Sequence, residues 1–545
     1  MYKPGKSPVS PDITQRDTIP AITILSVPEL PTIRQPAVRS QKQYSTVLEW
    51  VIVGLILAVV LAARLYAAFH TGLEVDEPIY RDAAALVLQY GYPAIRPAYL
   101  HTTIPFLYHP PFYLYLLAGW FKLWGNTSYV AGRMCSVTIS LLVLILMYIA
   151  IRKVFNKRTS IIALLLIGSD VWVIFTNQAI YLENSLMLLI ILAIWVYWRA
   201  TRVSSSSFFR YLMWYALAGL LAGAVIVYKQ IGGFILLVVF LNLLLQRKHW
   251  LGHAMLFVVI LLAIAGYALA MHRLFGGLFD AATIDQVLRT LGKKAAPGLN
   301  YSPLKALQVI WGRYWMFLVT IMAILGGSAI SVIRYFQGLF RRRTVSQPVF
   351  LSWAIGGILF ALTISLKSPH YMILWIIPLY LVLAQEIDGA FQNRRLPTGL
   401  QGVSYRKSLL ALLLCLILLG GDILGFQARF LYIPGDVLQE ADAYINETLP
   451  PTAVVLTQNY IGVDLVPQFL DISLVTTPKQ VLQKGVTYMA LYWSDTAPLP
   501  PSLGPVDRYC VPMKQFTGFK DTIKVCQIDP VALAIVVNSP PGVTK

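Results

Sequence analysis

The stretch GLEVDEPIYR, residues 72–81, decides how the rest of this sequence is interpreted. It follows the run 47–69, which is apolar apart from two charged residues. About 20 apolar residues suffice for a helix to cross a bilayer, so this run predicts a first membrane span. Glu74, Asp76 and Glu77 then lie where the helix leaves the lipid. Three carboxylates at this place indicate either a solvated loop or a functional site.

The composition of the chain excludes a soluble globular protein. The 545 residues are 57% hydrophobic and only 13% charged, and the mean hydropathy is +0.65. The chain is therefore predicted to be a polytopic α-helical membrane protein. The net charge of +19 comes from basic residues in short loops between apolar runs. That pattern is typical of cytoplasmic loops beside membrane lipid, and it excludes nucleic acid as a partner.

Apolar runs along the chain predict about eleven transmembrane helices. These runs are 47–69, 131–151, 160–176, 185–198, 211–228, 231–245, 251–271, 309–333, 349–366, 371–383 and 408–426. The first 45 residues are polar, Pro-rich and lack the apolar core of a signal peptide. We therefore expect a disordered cytoplasmic tail (1–45), a transmembrane domain (46–426) and a C-terminal domain (427–545).

The charges of the loops predict the orientation of the helices. With the N-terminus inside, every inner loop is basic, and these loops lie near 152–158, 199–210, 247–248, 334–343 and 394–407. This orientation places the charged residues of four connections on the outer face: the acids at 74–77, Glu183, Lys229, and Lys367 with His370. Such residues are either helix-end anchors that reach the interface or members of one functional site.

The first outer segment, 70–130, is predicted to contain two helices that lie along the membrane interface. Apolar residues recur at helical spacing over 78–89, and 109–125 is a second amphipathic, aromatic-rich run. A metal ion held by His101 and His109 beside the acids is an alternative, but no Cys/His spacing typical of zinc supports it. No nucleotide-binding fingerprint is present, so we expect no cofactor.

The last part of the chain, 427–545, is predicted to be a small extracytoplasmic α/β domain. A helix is expected at 437–449, and strands at 453–457, 486–493 and 522–528. Cys510 and Cys526 both lie here and either form a disulfide in an oxidising compartment or remain two free thiols. Cys135 and Cys415 fall in apolar runs, which is typical of packing residues.

Carboxylates that face Lys and His side chains suit the transfer of a group from a phosphate. A carboxylate acts as a general base when it takes the proton of an attacking hydroxyl. Lys, Arg or His hold the phosphate and stabilise the charge that develops as it leaves. A sugar on a lipid phosphate would enter from the bilayer with its phosphate at this outer edge, so no nucleotide site is needed there.

The motifs in this arrangement resemble those of the GT-C superfamily of glycosyltransferases. They are EVDEPIYRDAA (74–84), HPPFYLYLLAGWFKLWG (109–125), AGR (131–133), YLENSLML (181–188), AGLLAGAVIVYKQIGGFILL (218–237) and KSPHYMILWIIP (367–378). The resemblance covers 47–390, and the most similar branch contains protein O-mannosyltransferases and the lipid A aminoarabinose transferase. It implies a GT-C membrane fold and an extracytoplasmic enzyme that uses polyprenyl-phosphate sugars.

The resemblance also implies roles for individual residues. Asp76 matches the family's first-loop acid, which is the general base, and Glu77 is its partner. Glu183 stands where the family usually has Asp and completes the catalytic set. The residues implied in substrate binding are Glu74, Arg81, His109, Arg133, Lys229, Lys367 and His370. His109 stands where the aminoarabinose branch tends to have Lys before Pro-Pro, and this departure weakens the assignment of that particular sugar.

The leading hypothesis is an inverting transfer of one sugar from a polyprenyl phosphate to a hydroxyl of a glycan, lipid or protein acceptor. The enzyme would lie in the plasma (cytoplasmic) membrane of a bacterial or archaeal cell, with its active site on the extracytoplasmic face. One alternative is a transporter or flippase of a lipid-linked glycan, whose helices are typically polar or broken at mid-membrane. Here the polar residues gather at one face, which favours the enzyme. A second alternative is a non-catalytic assembly scaffold.

Overall fold

The structure is a computed structural model that describes residues 38–74, 76–95, 104–203, 207–246, 249–290, 317–341, 347–363, 369–392, 401–431, 437–462, 464–472, 475, 477–493, 503–517 and 522–538. Lys367, His101 and most of the predicted tail lie outside these ranges. Contacts divide the chain into Met1–Val51 and Ile52–Lys545. In the first unit the structure describes the start of one helix, and the second contains every site considered below.

Most of the chain up to Leu431 is helical. In chain order the helices are α1 (Val38–His70), α2 (Glu77–Tyr90), α3 (Phe112–Trp124), α4 (Tyr129–Val154), α5 (Lys157–Ser169), α6 (Val171–Gln178), α7 (Leu182–Ala200), α8 (Phe208–Tyr228), α9 (Phe234–Gln246), α10 (Trp250–Phe275), α11 (Gly277–Thr290), α12 (Leu318–Arg341), α13 (Pro348–Thr363), α14 (Ile373–Gln392) and α15 (Gln401–Phe426). Short helical turns at Gln230–Gly233 and Pro369–Met372 precede α9 and α14, and a π-helical turn, Gln427–Leu431, follows α15.

These helices account for the predicted membrane spans. Within the described ranges, eight helices are long and apolar enough to cross a membrane, and there are nine spans if the pair α5–α6, bent by 64°, is counted as one. Two shorter apolar helices, Gln230–Gln246 and Pro348–Leu362, lie where two further runs were predicted. Each predicted run therefore has its helix or helix pair. The clearest differences are at helix ends: α1 begins at Val38, inside the predicted disordered tail, and α14 continues to Gln392, beyond the predicted end at 383.

One charged side chain of α1 is held inside the bundle by protein groups alone. Arg64 is fully buried. Its guanidinium donates to the carbonyl oxygens of Val60 (3.2 Å) and Gly168 (2.9 Å) and to Asn177 Oδ1 (3.0 Å). A buried charge is tolerated only when it is paired and hydrogen-bonded, so these contacts fix α1 against α5 and α6.

The bend between α5 and α6 is also built from polar groups. Asp170 caps α6 by accepting from the Val173 amide (2.8 Å), and its other oxygen accepts from the hydroxyls of Thr320 and Tyr380. These residues lie inside helices that cross the bundle. The expectation that the polar residues gather at one face is therefore incomplete, because the sequence pattern does not show which polar residues of a span face inward.

The two helices predicted in the first connecting segment are present. α2 ends where Gly91 adopts φ 78°, and α3 ends where Gly125 adopts φ 84°, a left-handed conformation that only glycine adopts readily. α3 begins at Phe112, later than predicted, because Pro110 and Pro111 precede it. One face of α3 is buried in the bundle. Apolar side chains outside that face are exposed at Tyr115, Leu116, Leu123 and Trp124, as expected of a helix at a membrane interface.

A second region, within 437–538, combines helices with a five-stranded sheet. The strands that follow the short hairpin β1 (Ala94–Ile95) and β2 (Ile104–Pro105) are β3 (Val454–Thr457), β4 (Gln468–Asp471), β5 (Tyr488–Trp493), β6 (Cys510–Thr517) and β7 (Thr522–Ile528). The helices are α16 (Val437–Thr448), α17 (Asn459–Gly462), α18 (Pro478–Gln483) and α19 (Pro530–Asn538). The sheet order is β4-β3-β5-β7-β6, with β3 parallel to β4 and β5, and β7 antiparallel to β5 and β6.

The sheet contains two strands that the sequence did not predict. β4 has only four residues. β6 is an edge strand with five consecutive exposed residues, so it lacks the apolar alternation that marks a half-buried strand. Cys510 on β6 and Cys526 on β7 form a disulfide with Cα atoms 5.5 Å apart, so the free-thiol alternative is wrong. Cys135 is buried and Cys415 half-buried, as expected of packing residues.

Candidate active site

One end of the helix bundle brings the four predicted connections together. The segment after α1 supplies Asp76, the first turn of α7 supplies Glu183, and the turn after α8 supplies Lys229. The helical turn before α14 supplies His370. Lys367 of the same connection lies outside the described residues. In the structure, four side chains, one from each connection, therefore represent the predicted site.

Glu183 is the centre of this cluster. Its carboxylate is fully buried, and Oε1 forms an ion pair with Lys229 Nζ and lies 3.5 Å from His370 Nε2. Lys229 Nζ also lies 4.8 Å from the centroid of the Tyr371 ring. The sequence left Lys229 without an acid in its own turn, yet the structure gives it one from another helix. Glu183 sits in the first turn of α7, where the helix dipole favours a negative charge.

Asp76 differs from its neighbours because its carboxyl group has no hydrogen-bonding partner among the described residues. It precedes α2 at the capping position, but its side chain makes no capping bond. Asp76 is half-buried. Burial raises the pKa of its carboxyl group, while nearby His370 and Lys229 lower that pKa by less. The group is therefore an available proton acceptor beside the Glu183 cluster.

Glu77 has a different surrounding from Asp76. Its Oε1 accepts from Arg133 Nε (2.9 Å) and the Ile180 amide (2.9 Å), and its Oε2 accepts from Arg133 Nη2 (2.7 Å) and the Glu74 amide (2.8 Å). Both oxygens are occupied by protein donors, and the side chain is fully buried. This geometry suits a residue that fixes the loop better than one that exchanges protons with a substrate.

Arg133 completes that arrangement. Besides its two bonds to Glu77, it donates to the carbonyl oxygens of Ala68 (3.0 Å), Thr71 (2.8 Å) and Gly72 (2.7 Å). These carbonyls belong to the end of α1, which an arginine can cap. All five N–H donors of a guanidinium are thereby used. The predicted substrate-binding role of Arg133 has no support here, because no donor remains for a ligand.

Glu74 links the site to the end of the last membrane helix. Its Oε2 accepts from the Tyr181 hydroxyl (3.3 Å) and its Oε1 from Arg429 Nη2 (3.3 Å). The Tyr181 ring stacks on His370 with ring centroids 4.5 Å apart. Glu74 therefore neutralises an arginine and positions a tyrosine beside the cluster.

Two buried polar atoms at the cluster have no hydrogen-bonding partner in the described part of the chain. They are Glu183 Oε2 and His109 Nδ1. Burial, and to a smaller extent Lys229, lower the pKa of His109 to about 3, so its ring is neutral. Buried polar groups in proteins are nearly always hydrogen-bonded, and two exceptions at this cluster indicate a place for a polar ligand.

Arg81 is engaged elsewhere. Its Nη2 lies 2.7 Å from Asp464 Oδ1, and its guanidinium lies 4.6 Å from the centroid of the Tyr129 ring. Asp464 belongs to the region that contains the sheet. The predicted role of Arg81 in substrate binding therefore has no direct contact to support it.

Sequence reasoning missed Tyr181, Arg429 and Asp464. Tyr181 opens the motif YLENSLML, and Arg429 is an isolated basic residue at the end of the last span. Arg429, like Lys229, is a lone basic residue at the end of an apolar run, so the same sequence pattern indicates it. Asp464 carries no local signal, since it stands in an ordinary loop.

In the described ranges, no group of three His, Cys, Asp or Glu side chains could hold a metal ion.

Comparison with known proteins relates this geometry to a fold. Residues 108–272, which include His109, Glu183 and Lys229, match the family described as dolichyl-phosphate-mannose-protein mannosyltransferase. ArnT from Cupriavidus metallidurans bound to undecaprenyl phosphate superposes with a TM-score of 0.54 at 14% identity, over 87% of this chain and 97% of that one. No curated protein sequence matches the chain significantly.

A second solved structure is larger than this chain. The archaeal oligosaccharyltransferase AglB from Archaeoglobus fulgidus, in complex with an inhibitory peptide and a dolichol-phosphate, superposes with a TM-score of 0.58 at 13% identity. The match covers 88% of this chain and 74% of AglB. At such low identity these two likenesses establish the fold and nothing finer.

Proposed function

Since this chain has the GT-C glycosyltransferase fold, we propose that it transfers a sugar from a polyprenyl-phosphate donor to an acceptor hydroxyl. The observation that carries the proposal is the unpartnered carboxyl group of Asp76. Its carboxyl group has no hydrogen-bonding partner among the described residues and lies beside the buried Glu183–Lys229–His370 cluster. A general base needs a free carboxylate, and a leaving phosphate needs cations nearby.

The proposed reaction is a single displacement. Asp76 takes the proton of the acceptor hydroxyl while the acceptor oxygen forms a bond to the anomeric carbon of the sugar. The bond between that carbon and the phosphate oxygen breaks, and the polyprenyl phosphate leaves with the electron pair. Attack opposite to the leaving group inverts the anomeric configuration. The transferred proton then passes from Asp76 to solvent, so the balance needs no further reactant.

The cluster supplies groups for the donor. Lys229 Nζ has three N–H donors and uses one on Glu183, so it is proposed to bind the donor phosphate together with His370. Glu183 positions both residues through Oε1. Its unpartnered Oε2 and the unpartnered His109 Nδ1 are proposed to accept hydrogen bonds from sugar hydroxyls. Glu77 and Arg133 are assigned the role of fixing the segment that carries Asp76.

The polyprenyl-phosphate part of the proposal has two supports. The ArnT structure contains undecaprenyl phosphate and the AglB structure contains dolichol-phosphate. The acceptor is a glycan, a lipid or a protein, and the site gives no reason to prefer one of them. We propose that neither a metal ion nor an organic cofactor takes part, so chelation is expected to leave transfer unchanged.

We further propose that the site faces the outside of the plasma membrane. The basic loops predict this orientation. The disulfide Cys510–Cys526 supports it, because disulfides persist mainly in oxidising compartments outside the cytoplasm.

One observation favours a second function, transport of a lipid-linked glycan. Arg64 and Asp170 are buried inside spans, and α5–α6 is a broken span, as in many transporters. Against transport, each nitrogen of the Arg64 guanidinium donates to a protein group, and both oxygens of Asp170 accept from protein groups. This network therefore suits a structural joint better than a binding site.

The test of the proposed function uses purified protein in liposomes with polyprenyl-phosphate hexoses labelled in the sugar. Membrane extracts of the source cell provide the acceptors. We expect the label to move to an acceptor with release of polyprenyl phosphate, and the product to have the inverted anomeric configuration. Movement of intact donor across the bilayer without release of phosphate would contradict the enzyme and support transport. If neither sugar transfer nor movement of the donor is observed, both the enzyme and the transporter are contradicted, and the assembly scaffold is the alternative that remains.

A further inference from the structure

The segment that carries Asp76 is tied at its start to the end of the last membrane span and at its end to the region that contains the sheet. At its start, Glu74 Oε1 accepts from Arg429 Nη2 (3.3 Å). At its end, Arg81 Nη2 donates to Asp464 Oδ1 (2.7 Å). Arg133 holds the middle of the segment through Glu77. Two of these three ties therefore come from the C-terminal part of the chain.

Asp464, which binds Arg81, is itself held in place by further contacts. The Tyr129 hydroxyl, at the start of α4, donates to the second oxygen of Asp464, and the Arg81 guanidinium lies over the same tyrosine ring. Both carboxylate oxygens are thus engaged. The backbone carbonyl of Asp464 accepts from Asn446 Nδ2 (3.0 Å), and Asn446 Oδ1 accepts from the Val466 amide (2.7 Å). Asn446 of α16 therefore holds the backbone of Asp464, and Arg81 and Tyr129 hold its carboxylate.

Apolar contacts join the same two regions. Leu73, directly before Glu74, is buried in a cluster with Val437, Ala441 and Ile445. The apolar face of α16 thus belongs to the same core as the residue just before Glu74. Together with the ion pairs, this packing makes the position of the segment depend on the C-terminal region.

We propose that the C-terminal region positions Asp76 for catalysis, and that Asp464 is the positioning residue that acts through Arg81. This inference rests on the proposed function, in which Asp76 is the general base. Asp76 lies five residues before Arg81, at the start of α2, which is little more than one helical turn. A shift of α2 would therefore move the carboxyl group directly. A misplacement of about 1 Å at a reacting group can cost about 100-fold in rate.

The first test compares two carboxylates of the same region. Asp464→Asn removes the charge that holds Arg81. Asp507→Asn is the matched control, because Asp507 pairs with Lys524 (2.8 Å) inside the same region. We expect Asp464→Asn to lower kcat by about 10- to 100-fold, with the KM for the donor nearly unchanged, and Asp507→Asn to have little effect. Equal kcat in wild type and Asp464→Asn, or equal losses in both variants, would overturn the proposal.

A rescue experiment separates positioning from general damage to the fold. Arg81→Asp combined with Asp464→Arg reverses the pair and restores opposite charges at the two positions. We expect this double variant to recover a part of kcat that neither single variant retains. Absence of any recovery in a double variant that folds with the melting temperature of wild type would count against the tie.

A second readout does not depend on activity. Hydrogen exchange of the amides in α2 reports how firmly that helix is held. We expect faster exchange across α2 in Asp464→Asn and unchanged exchange in Asp507→Asn. If wild type transfers no sugar, the proposed function fails, while exchange still tests the tie. If wild type is active and α2 exchanges at the same rate in Asp464→Asn, the tie fails and the proposed function stands.

Discussion

Glu77 and Arg133 form a buried two-point ion pair, with Nε 2.9 Å from Oε1 and Nη2 2.7 Å from Oε2. Arg133 also binds three carbonyl oxygens at the end of α1. The pair therefore fastens the end of the first membrane helix to the start of α2. Asp76, the residue before Glu77, is left free of such bonds. The two adjacent carboxylates thus have different surroundings, and we propose a structural task for Glu77 and a chemical one for Asp76.

We predict different effects on stability when these two carboxylates are neutralised. Glu77→Gln leaves the buried Arg133 without its charge partner, and breaking a buried ion pair in this way costs about 3–5 kcal/mol. Burial raises the pKa of Asp76, so its ionised form is disfavoured in the folded state and this contribution to stability falls as pH rises. Asp76→Asn is therefore expected to leave the melting temperature at neutral pH unchanged or slightly higher.

Thermal unfolding of the two purified variants beside wild type checks this difference. A melting temperature that falls as far in Asp76→Asn as in Glu77→Gln would show that Asp76 carries bonds of its own. Activity is measured on the same samples, at a temperature at which each variant is folded.

The rate of transfer is predicted to depend on the ionisation of Asp76. Its pKa is raised by burial, and only the carboxylate form accepts a proton. Activity should therefore fall as pH is lowered through a value above about 3.9, the ordinary pKa of Asp. His109 does not add to this fall in mildly acidic buffer, because its pKa is lowered to about 3. A profile of kcat/KM against pH that stays flat down to the ordinary Asp range would contradict this prediction.

Lys229 is predicted to bind the donor phosphate. A hydrogen bond to a charged group is worth about 1.5–3 kcal/mol, so Lys229→Met should weaken binding of a short-chain polyprenyl phosphate by roughly 10- to 150-fold. The single variant also leaves Glu183 buried without its main partner. The double variant Glu183→Gln/Lys229→Met removes that complication and serves as the control. Unchanged affinity in the double variant would remove Lys229 from the phosphate site.

The orientation of the bundle is predicted to place the site outside. Asn126 follows α3 and Lys484 follows α18, and both are exposed; Arg158 and Lys407 are exposed near the opposite ends of their spans. After replacement of the two free cysteines, single Cys residues at these positions are treated with an impermeant maleimide on intact cells. We expect labelling at 126 and 484 only, with 158 and 407 labelled after lysis. The reverse pattern would place the site in the cytoplasm.

Much of the fold could be predicted from the sequence, because membrane spans are set by local composition. An apolar run must satisfy its own backbone and therefore becomes a helix. The helices α2 and α3 were equally visible, since each ends at a glycine after an amphipathic run. The short strand β4 and the exposed edge strand β6 carry no such pattern and were missed.

The sequence predicted that Asp76, Glu183, Lys229 and His370 lie at one end of the bundle, but it did not predict which side chains pair there. Lys229 pairs with Glu183, 46 residues earlier, and Arg81 pairs with Asp464, 383 residues later. Nothing local links such partners, because packing of distant helices and of the sheet region brings them together. For the same reason Arg81 and Arg133 were assigned to the substrate, although the structure gives each of them a partner within the protein.

The central claim, that Asp76 is the general base, is tested most directly by sugar transfer with Asp76→Asn. The substitution keeps the size of the side chain and removes the proton acceptor. Loss of a general base typically costs about 10²- to 10⁴-fold in rate. We expect a loss of this size in single-turnover transfer from labelled polyprenyl-phosphate sugar, with affinity for polyprenyl phosphate within a few-fold of wild type. Transfer at the wild-type rate by folded Asp76→Asn would contradict the account.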